Sequence, residues 1–246
     1  MHISNRTVVI VGGTSGIGLG LARRFEAAGS TVVVGGRDTS RVDGLETVEI
    51  DVTDSASVLK ARDEMLAAHP DLDTVVTMSG VMHTEDLRDP NHFALAESSI
   101  AVNLLGTIRV IDAFTPHLVE RGAGTIVTVG SGIAFLPFPL MPSYGASKAG
   151  VHAYTEALRA QLAGAGVEVV ELIPPAVATA GQERVNPAAL PLEGFLDEAV
   201  GLLGANPTPN EILVRGVLQH RWAERDGSYA ELVARRSQSL ATLPGR

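Results

Sequence analysis

The chain has 246 residues, no cysteine and a formal net charge of −9. The acidic balance argues against a general nucleic-acid-binding protein, which needs a basic face, and the lack of cysteine rules out disulfides and thiolate chemistry. The length suits one large α/β domain with a well-buried core.

Short valine-rich runs alternate with longer amphipathic stretches along the chain. The runs predict strands at 7–11, 31–35, 48–50, 74–78, 125–130, 167–173 and 211–215. The stretches predict helices at 16–28, 55–68, 95–121, 144–164, 193–204 and 219–240, with Asp54 as N-cap of the second. Strands that are apolar on both faces are typical of a parallel sheet covered by helices. The order therefore predicts a single α/β domain over 1–246, with a doubly wound parallel sheet of about seven strands.

The segment after residue 174 breaks this alternation. Its sequence, "PPAVATAGQERVNPAALPLEG", is rich in proline and alanine and has weak periodicity. Long irregular loops in compact domains often cover a ligand. We therefore expect a substrate lid at about 175–205.

A glycine-rich turn, "VGGTSGIGLG", follows the first predicted strand and opens the first helix. Gly12 permits a tight turn, and Gly16 lets backbone N–H groups approach a pyrophosphate at the positive end of the helix dipole. Gly18 permits close helix–strand packing. An ordinary flexible loop is the alternative, but the strand before and the helix after favour dinucleotide binding. The candidate cofactor residues of this turn are Gly12, Thr14, Ser15, Gly16, Ile17 and Gly18.

The end of the second predicted strand indicates which dinucleotide is bound. An acidic residue there would bind the ribose diol of NAD, whereas this strand ends in Gly35-Gly36 followed by Arg37. A guanidinium suits a 2′-phosphate, and Arg41 could assist. Asp38 is the counter-evidence, because it could reach the ribose, and a surface Arg–Asp pair is a further alternative. We expect NADP(H) to be favoured over NAD(H).

Two further strand ends carry candidate cofactor contacts. Asp51 could accept a hydrogen bond from the adenine amino group, or it could serve as a turn or cap residue. Its neighbour Val52, and Ser79 and Gly80 after the fourth predicted strand, complete this set.

Four polar residues suggest acid–base chemistry. Tyr144 and Lys148 lie one helical turn apart, Ser131 ends a central strand at the ligand-binding edge, and Asn103 lies within an apolar helix. A phenol titrates near pH ~10, and we expect the Lys148 ammonium, together with an oxidised nicotinamide, to lower the pKa of Tyr144. Tyr144 would then exchange a proton with a carbonyl oxygen to which Ser131 donates, and Lys148 could also bond the nicotinamide ribose. Asn103 could hold a water that connects Lys148 to solvent, or it could simply join two helices.

In this order and spacing, the motifs resemble the short-chain dehydrogenase/reductase family over nearly the whole chain. The glycine turn, Asp51 and the set Asn103, Ser131, Tyr144 and Lys148 each match a family motif. The "PPAVATA" stretch is similar to the family segment that folds over the nicotinamide, which adds Pro174, Val177 and Thr179 as cofactor contacts. "SSIAVNLLGT" and "ELIPPAVAT" further resemble the branch called DltE-like oxidoreductases. The resemblance implies an NAD(P)-dependent oxidoreductase that interconverts carbonyl and alcohol groups.

Three features depart from the family pattern, and the first is Val11 in place of the threonine that usually opens the glycine motif. The Asn-Asn-Ala-Gly usual after the fourth strand is replaced by "TMSG", which places Met78 where the family has an amide. Pro175 stands where glycine is usual, and it fixes φ and removes an N–H. The departures at Met78 and Pro175 motivate an alternative, a non-catalytic nucleotide-binding or interaction module on the same fold.

Residues that follow the candidate catalytic positions indicate the substrate. They are Val81, Met82, His83, Ile133, Phe135, Phe138 and Met141. Because they are mostly apolar, we expect a hydrophobic ketone, aldehyde or alcohol as the small-molecule substrate. The seven histidines have no metal-binding spacing, so we expect no metal.

The remaining expectations concern location and assembly. We find no signal peptide and no run approaching a membrane span, so we expect a cytoplasmic protein with no membrane partner. In similar proteins the helices corresponding to 95–121 and 144–164 form subunit contacts, which implies a homodimer or homotetramer.

Overall fold

The computed structural model describes residues 1–179 and 189–244. Within these ranges the strands are β1 (Thr7–Val11), β2 (Thr31–Gly36), β3 (Glu46–Glu49), β4 (Thr74–Thr77), β5 (Gly124–Val129), β6 (Val167–Ile173), β7 (Val177–Ala178), β8 (Leu190–Pro191) and β9 (Glu211–Leu213). The helices are α1 (Gly16–Ala27), α2 (Ser55–Ala68), α3 (Phe93–Ser99), α4 (Gly106–Arg121), α5 (Pro142–Gln161), α6 (Leu192–Leu203), α7 (Leu218–Arg221) and α8 (Tyr229–Ser237). As expected, the Asp54 side chain caps α2 by accepting the Ala56 N–H at 2.9 Å.

The main sheet of the described chain has seven parallel strands in the order β3-β2-β1-β4-β5-β6-β9. This confirms the predicted doubly wound parallel sheet. The strand order changes direction between β1 and β4, and such a switch point opens a crevice at the carboxyl ends of the strands.

Successive side chains of β1 point to opposite faces of the sheet, and each face packs against helices. Val8 and Ile10 pack into a cluster that contains Phe25 of α1, whereas Val9 packs into a second cluster that contains Phe114 of α4. All of these side chains are fully or nearly fully buried. Neither face of β1 contacts water, so its sequence is uniformly apolar.

Two predicted helices differ from the observed ones. The expected helix at 95–121 contains a π-helical segment, Ile100–Leu105, between α3 and α4. The expected final helix at 219–240 is divided into α7 and α8, and the intervening chain includes Gly227 with a φ of +70°. A left-handed glycine ends a helix even where the apolar spacing continues.

The continuous helix Phe93–Arg121 is long and apolar enough to cross a membrane by length and composition alone, which the sequence analysis did not anticipate. Core helices of soluble proteins pass the same test, and 33% of its most apolar window is buried. Its inner side packs on β4, β5 and α2. Leu105 and Val119 on this helix are 44% and 40% exposed, so apolar side chains also face outward.

The expected lid at 175–205 falls partly on residues 180–188, which lie outside the described residues. On either side of them, β7 pairs with β8 in a separate two-stranded parallel sheet. Residues Leu192–Leu203 form α6, whose Phe195 and Leu196 are buried in the core beside α1. The end of this segment is therefore part of the core.

Candidate functional site

The candidate residues gather at one edge of the main sheet. Each follows a different strand: Gly12 after β1, Arg37 after β2, Asp51 after β3, Ser79 after β4, Ser131 after β5 and Pro174 after β6. Because these strands are parallel, their carboxyl ends share this edge. The topology thus brings the candidate cofactor and acid–base residues to one crevice.

The backbone around the glycine turn is packed too closely to leave room for side chains at Gly12 and Gly18. Gly12 has a φ of +91°, and a Cβ there would lie 2.3 Å from the backbone nitrogen of Ser79. A Cβ on Gly18 would lie 2.5 Å from the Gly12 carbonyl oxygen. The close packing of the turn therefore tolerates no side chain at either position.

The first turn of α1 has the features of an anion site. Ser15 occupies the N-cap position, and within the described residues its side chain makes no capping hydrogen bond. The first turn carries no acidic residue, so its free N–H groups and the helix dipole favour a negative charge. The Thr179 methyl lies 3.2 Å from where a Cβ on Gly16 would be, so the segment after β6 reaches this turn.

Several other predicted cofactor residues also contact the protein around the crevice. The Thr14 side chain packs against Gly36, and a Cβ added to Gly36 would lie 2.6 Å from the Thr14 methyl carbon. Ile17 and Val177 pack with the core cluster on the α1 side of the sheet. Val52 packs on Gly106 and accepts a hydrogen bond from Arg109 through its carbonyl at 2.8 Å.

The end of β2 exposes the guanidinium of Arg37. The Asp38 carboxylate is used locally, accepting from the Ser40 N–H at 3.0 Å and from its hydroxyl at 2.6 Å. These bonds lower the pKa of Asp38. Among the described residues Arg37 and Asp38 form no ion pair, so the Arg–Asp pair considered from the sequence is not observed.

Asp51 is a turn residue in this structure. Its carboxylate accepts from the Thr53 N–H at 2.8 Å and from the Thr53 hydroxyl at 2.7 Å. These bonds, and more weakly the charges of Arg37 and Arg109, lower the pKa of Asp51. The turn interpretation of Asp51 is therefore observed, and its adenine contact remains a prediction.

Asn103 lies in the π-helical segment and is fully buried. Its amide exchanges two hydrogen bonds with the Val81 backbone, at 2.8 and 2.9 Å, and donates to the Ser147 hydroxyl at 3.1 Å. Both amide protons are thus used, and they join the loop after β4 to α5. These bonds support the interpretation of Asn103 as a link between packed elements, and its role in holding a water near Lys148 remains a prediction. Its backbone carbonyl accepts the Thr107 hydroxyl at 2.8 Å.

The acid–base candidates meet at the end of β5. The Tyr144 hydroxyl lies close enough to the Ser131 side chain for their interaction to lower the pKa of the phenol. The Lys148 Nζ lies 5.8 Å from the Tyr144 ring centroid and donates to the Val129 carbonyl at 2.7 Å. Ser131 and Lys148 are 9% and 5% exposed, so both are shielded from water. The helical spacing of Tyr144 and Lys148 does place both groups beside Ser131.

The electrostatics of this group differ from the expectation for Tyr144. Burial raises the pKa of Tyr144, and the interaction with Ser131 offsets this only in part. Burial also lowers the pKa of Lys148 to about 8, against the opposing charge of Glu171. In the protein alone the pKa of Tyr144 is therefore raised overall, because desolvation of the phenol dominates.

A residue that the sequence analysis missed anchors the start of α5. The buried Glu85 carboxylate accepts from the Ser143 N–H at 3.0 Å and from the Ser143 hydroxyl at 2.7 Å. It thereby caps the helix from a distant loop and places a negative charge at the positive helix end. Tyr144 follows Ser143 directly, so Glu85 helps to fix the position of the phenol.

Glu85→Ala should lower the free energy of unfolding by about 2 kcal/mol or more, because it leaves two buried donors of Ser143 unpaired. Urea unfolding measures the change. Glu97→Ala, at an exposed position on α3, is the matched control and should change stability by less than about 0.5 kcal/mol. Equal stability of the two variants would contradict the anchoring role.

The departures at Met78 and Pro175 are accommodated by packing. Met78 packs beside Gly18, where a Cβ would lie 3.1 Å from the Met78 side chain, and it joins the core on the α1 side. The Pro175 ring packs on Gly216, and the Pro174 carbonyl accepts the Gly132 N–H at 3.0 Å. Neither residue disrupts the glycine turn or the end of β5.

Two other features of the described chain lie outside this crevice. One cavity, of about 590 Å³, is at the amino-terminal end of β6 and is lined by residues such as Arg159, Val167 and Asn210. Side chains of His152, Glu156 and Glu211 approach within 4.8 Å of one another, a cluster that the sequence spacing did not reveal. Each of the three already pairs with another charged side chain: Glu156 with Arg159, Glu211 with Arg221, and His152 with Glu171.

The chain matches the family model for short chain dehydrogenases over residues 6–189. It is 33% identical over 187 residues to an uncharacterized oxidoreductase, DltE, of Bacillus subtilis, covering 73% of this chain and 74% of that protein. It is 31% identical over 239 residues to the NADPH-dependent 1-acyldihydroxyacetone phosphate reductase of Schizosaccharomyces pombe. This alignment covers 92% of this chain and 78% of that protein.

A solved structure gives the same result for the fold. The short chain dehydrogenase from Burkholderia cenocepacia, crystallised in complex with NADP, superposes with a TM-score of 0.83 at 25% identity, covering 95% of this chain and 99% of that one. With the parallel sheet and the glycine turn described above, these similarities establish that the chain belongs to the short-chain dehydrogenase family and is an NAD(P)-dependent oxidoreductase.

Proposed function

We propose that this protein is an NADP(H)-dependent oxidoreductase that interconverts a carbonyl and an alcohol on a mostly apolar small molecule, with Tyr144 as general acid and base. The observation that carries the proposal is the gathering of Tyr144, Ser131 and Lys148 at the end of β5, where Ser131 and Lys148 are buried and Tyr144 is half-buried. This end belongs to the same sheet edge as the glycine turn, where a dinucleotide would bind.

The residues present fit a nicotinamide dinucleotide. The side-chain-free turn at Gly12, Gly16 and Gly18 and the open N–H groups of α1 would hold the pyrophosphate. The exposed guanidinium of Arg37 would hold the 2′-phosphate of NADP. When bound, the cofactor supplies or accepts the hydride. We assign the remaining cofactor contacts to Asp51, Val52, Ser79, Gly80, Pro174, Val177 and Thr179.

The raised pKa of Tyr144 favours the direction of carbonyl reduction. At neutral pH the phenol holds its proton, as a general acid must. Ser131, which lies close to the phenol, is placed to donate to the same carbonyl oxygen and stabilise its developing charge. In the opposite direction, a positive charge near the phenol would be needed to remove the Tyr144 proton, and Lys148 is the nearby side chain able to supply it.

The side chains around the crevice support an apolar substrate. Met82 in the loop after β4 is 37% exposed, and Asn103 fixes the neighbouring Val81. The Phe135 ring instead packs on His152, with centroids 4.7 Å apart, and under Arg221. We therefore assign Phe135 to packing and keep Val81, Met82, Ile133, Phe138 and Met141 as candidate substrate contacts. A screen of hydrophobic ketones and aldehydes, followed by loss of NADPH absorbance, tests the reaction class; NADPH binding without any turnover would favour the non-catalytic alternative.

Arg37→Ala should weaken NADPH binding about tenfold or more and change NADH binding by less than about twofold. A charge-assisted bond to the 2′-phosphate contributes about 1.5–3 kcal/mol, and NADH lacks that phosphate. Nicotinamide fluorescence measures both affinities. Arg62→Ala, on α2 and paired with Asp63, is the control and should leave both unchanged. An equal loss for the two nucleotides would refute the phosphate contact.

We further propose a cytoplasmic homodimer or homotetramer. The outward apolar residues of the helix Phe93–Arg121, including Leu105 and Val119, supply a surface suited to contact with a second copy. Sedimentation analysis of the purified protein measures the assembly, and a monomer at micromolar concentration would overturn this proposal.

A further inference from the structure

A buried carboxylate lies beneath the acid–base group. Glu171 is on β6 and its side chain is fully buried. One carboxylate oxygen bonds His152 Nδ1 at 2.7 Å, and the other, Oε1, has no hydrogen-bond partner among the described residues. An ionisable group is rarely placed in an apolar strand without a charge or bond to compensate. The reaction as proposed above does not use Glu171.

The position of Glu171 relates it to Lys148 through Gly130. A Cβ on Gly130 would lie 2.2 Å from Glu171 Oε1, so the unpaired oxygen lies against this residue. Lys148 Nζ donates to the carbonyl of Val129, the residue before Gly130. Ammonium and carboxylate therefore approach the same short piece of backbone, and the charge of Glu171 raises the pKa of Lys148 against the effect of burial.

His152 holds Glu171 from the same helix that carries Lys148. Lys148 and His152 are one turn apart on α5, so both side chains face β6. The hydrogen bond to Glu171 raises the pKa of His152. Phe135 packs against the imidazole edge-on and limits its movement.

Other charges face this group from the packed elements. They are Glu156 and Arg159 on α5, Glu211 on β9 and Arg221 on α7. Glu211 and Arg221 pair with each other at 2.7 and 2.8 Å, and Glu156 pairs with Arg159. Because these four form mutual pairs, Glu171 is the carboxylate whose charge acts on Lys148.

We propose that Glu171, held by His152, is a positioning residue that keeps Lys148 in the ammonium form needed for proton transfer at Tyr144. Without the Glu171 charge, burial would leave more of Lys148 neutral near physiological pH. The consequence for turnover rests on the proposed function, but the state of Lys148 does not.

The chain offers a direct measurement, because Lys60 and Lys148 are its only lysines. Labelling lysine with ¹³C and ¹⁵N gives two side-chain signals, and Lys60→Arg assigns them. Lys60 is exposed on α2 and serves as an internal reference. Glu171→Gln, which has nearly the same size, is expected to lower the Lys148 titration midpoint by about one pH unit or more. An unchanged midpoint in this variant overturns the proposal.

Two further variants separate charge from packing. Glu168→Gln, at an exposed position of β6, should leave the Lys148 midpoint unchanged. Glu171→Asp keeps the charge and should retain most of the wild-type midpoint; a midpoint as low as that of Glu171→Gln would mean that packing acts on Lys148, and would overturn the proposal. If neither Glu171 variant folds, Lys148→Met removes a positive charge that the proposal places beside the Glu171–His152 pair, so the His152 midpoint should rise, and no change there would also overturn the proposal.

The same titration distinguishes failure of this proposal from failure of the proposed function. It uses the protein with and without NADP⁺ and requires no substrate. Where a carbonyl is turned over, the alkaline limb of the pH–rate profile should also move to lower pH in Glu171→Gln. The proposal requires Lys148 as an ammonium ion for proton transfer, and loss of the Glu171 charge lowers the pKa of Lys148, so activity should be lost at a lower pH. An alkaline limb that stays in place would contradict the role of Glu171 in the reaction.

Discussion

Replacing Tyr144 with phenylalanine should reduce carbonyl turnover by about 10²- to 10⁴-fold, the range that general acid catalysis contributes. The ring and its packing remain, and only the hydroxyl beside Ser131 is lost. NADPH affinity should stay within about twofold, because in our proposal the phosphates are held at the glycine turn and Arg37. Steady-state kinetics and nicotinamide fluorescence measure the two quantities separately.

Tyr154→Phe is the matched control for this substitution. Tyr154 lies on the same helix, and its hydroxyl bonds Asp112 at 3.2 Å, away from Ser131. Burial and the Asp112 charge raise the pKa of Tyr154 to about 12, so it is also a phenol that stays protonated at neutral pH. Turnover should be nearly unchanged in this variant. If Tyr144→Phe kept more than about a tenth of the wild-type rate, Tyr144 would lose its assigned role.

Gly12→Ala should lower the free energy of unfolding by about 3 kcal/mol and weaken NADPH binding about a hundredfold. A side chain at a φ of +91° is strained by about 1–2 kcal/mol, and its Cβ would overlap the Ser79 backbone nitrogen at 2.3 Å. To relieve the overlap, the ends of β1 and β4 must separate, which would open the turn proposed to hold the pyrophosphate. Urea unfolding and fluorescence titration give the two measurements.

Gly201→Ala supplies the corresponding control. This glycine is in α6, and no atom lies within 4 Å of the position of an added Cβ. Alanine is favoured over glycine within a helix by about 1 kcal/mol, so this variant should be as stable as the wild type or more stable. If the two alanine variants had similar stability and similar NADPH affinity, the claim that the turn excludes a side chain at Gly12 would be contradicted.

The fold could be predicted because its determinants are local. Each central strand is buried on both faces, so a run such as "TVVIV" in β1 is apolar throughout, and the glycine turn marks the passage from β1 to α1. The spacing of Tyr144 and Lys148 likewise places them together on α5. What local spacing does not reveal is the π-helical segment Ile100–Leu105, because its apolar pattern matches that of an ordinary helix.

The missed parts of the site depend on contacts between distant segments. Glu85 reaches Ser143 across 58 positions, and no short pattern records that pairing. In "VEVVELI" the alternation places Glu168 and Glu171 on opposite faces of β6, but it does not say which is buried. Packing of α5 decides this, and the same burial reverses the pKa shift expected for Tyr144. A charged residue within an apolar strand was the signal that could have identified Glu171.

The short loop after β4 is bonded at both ends to α5, the helix that carries Tyr144. The Asn103 side chain is hydrogen-bonded to both Val81 and Ser147, and the Glu85 carboxylate accepts a hydrogen bond from the Ser143 N–H. An engineer who grafts a different loop here to change selectivity would therefore also tilt the helix that carries the phenol. In our proposal, a change of substrate selectivity at this loop would therefore also change the rate, unless the new loop keeps the hydrogen bonds to Asn103 and Ser143.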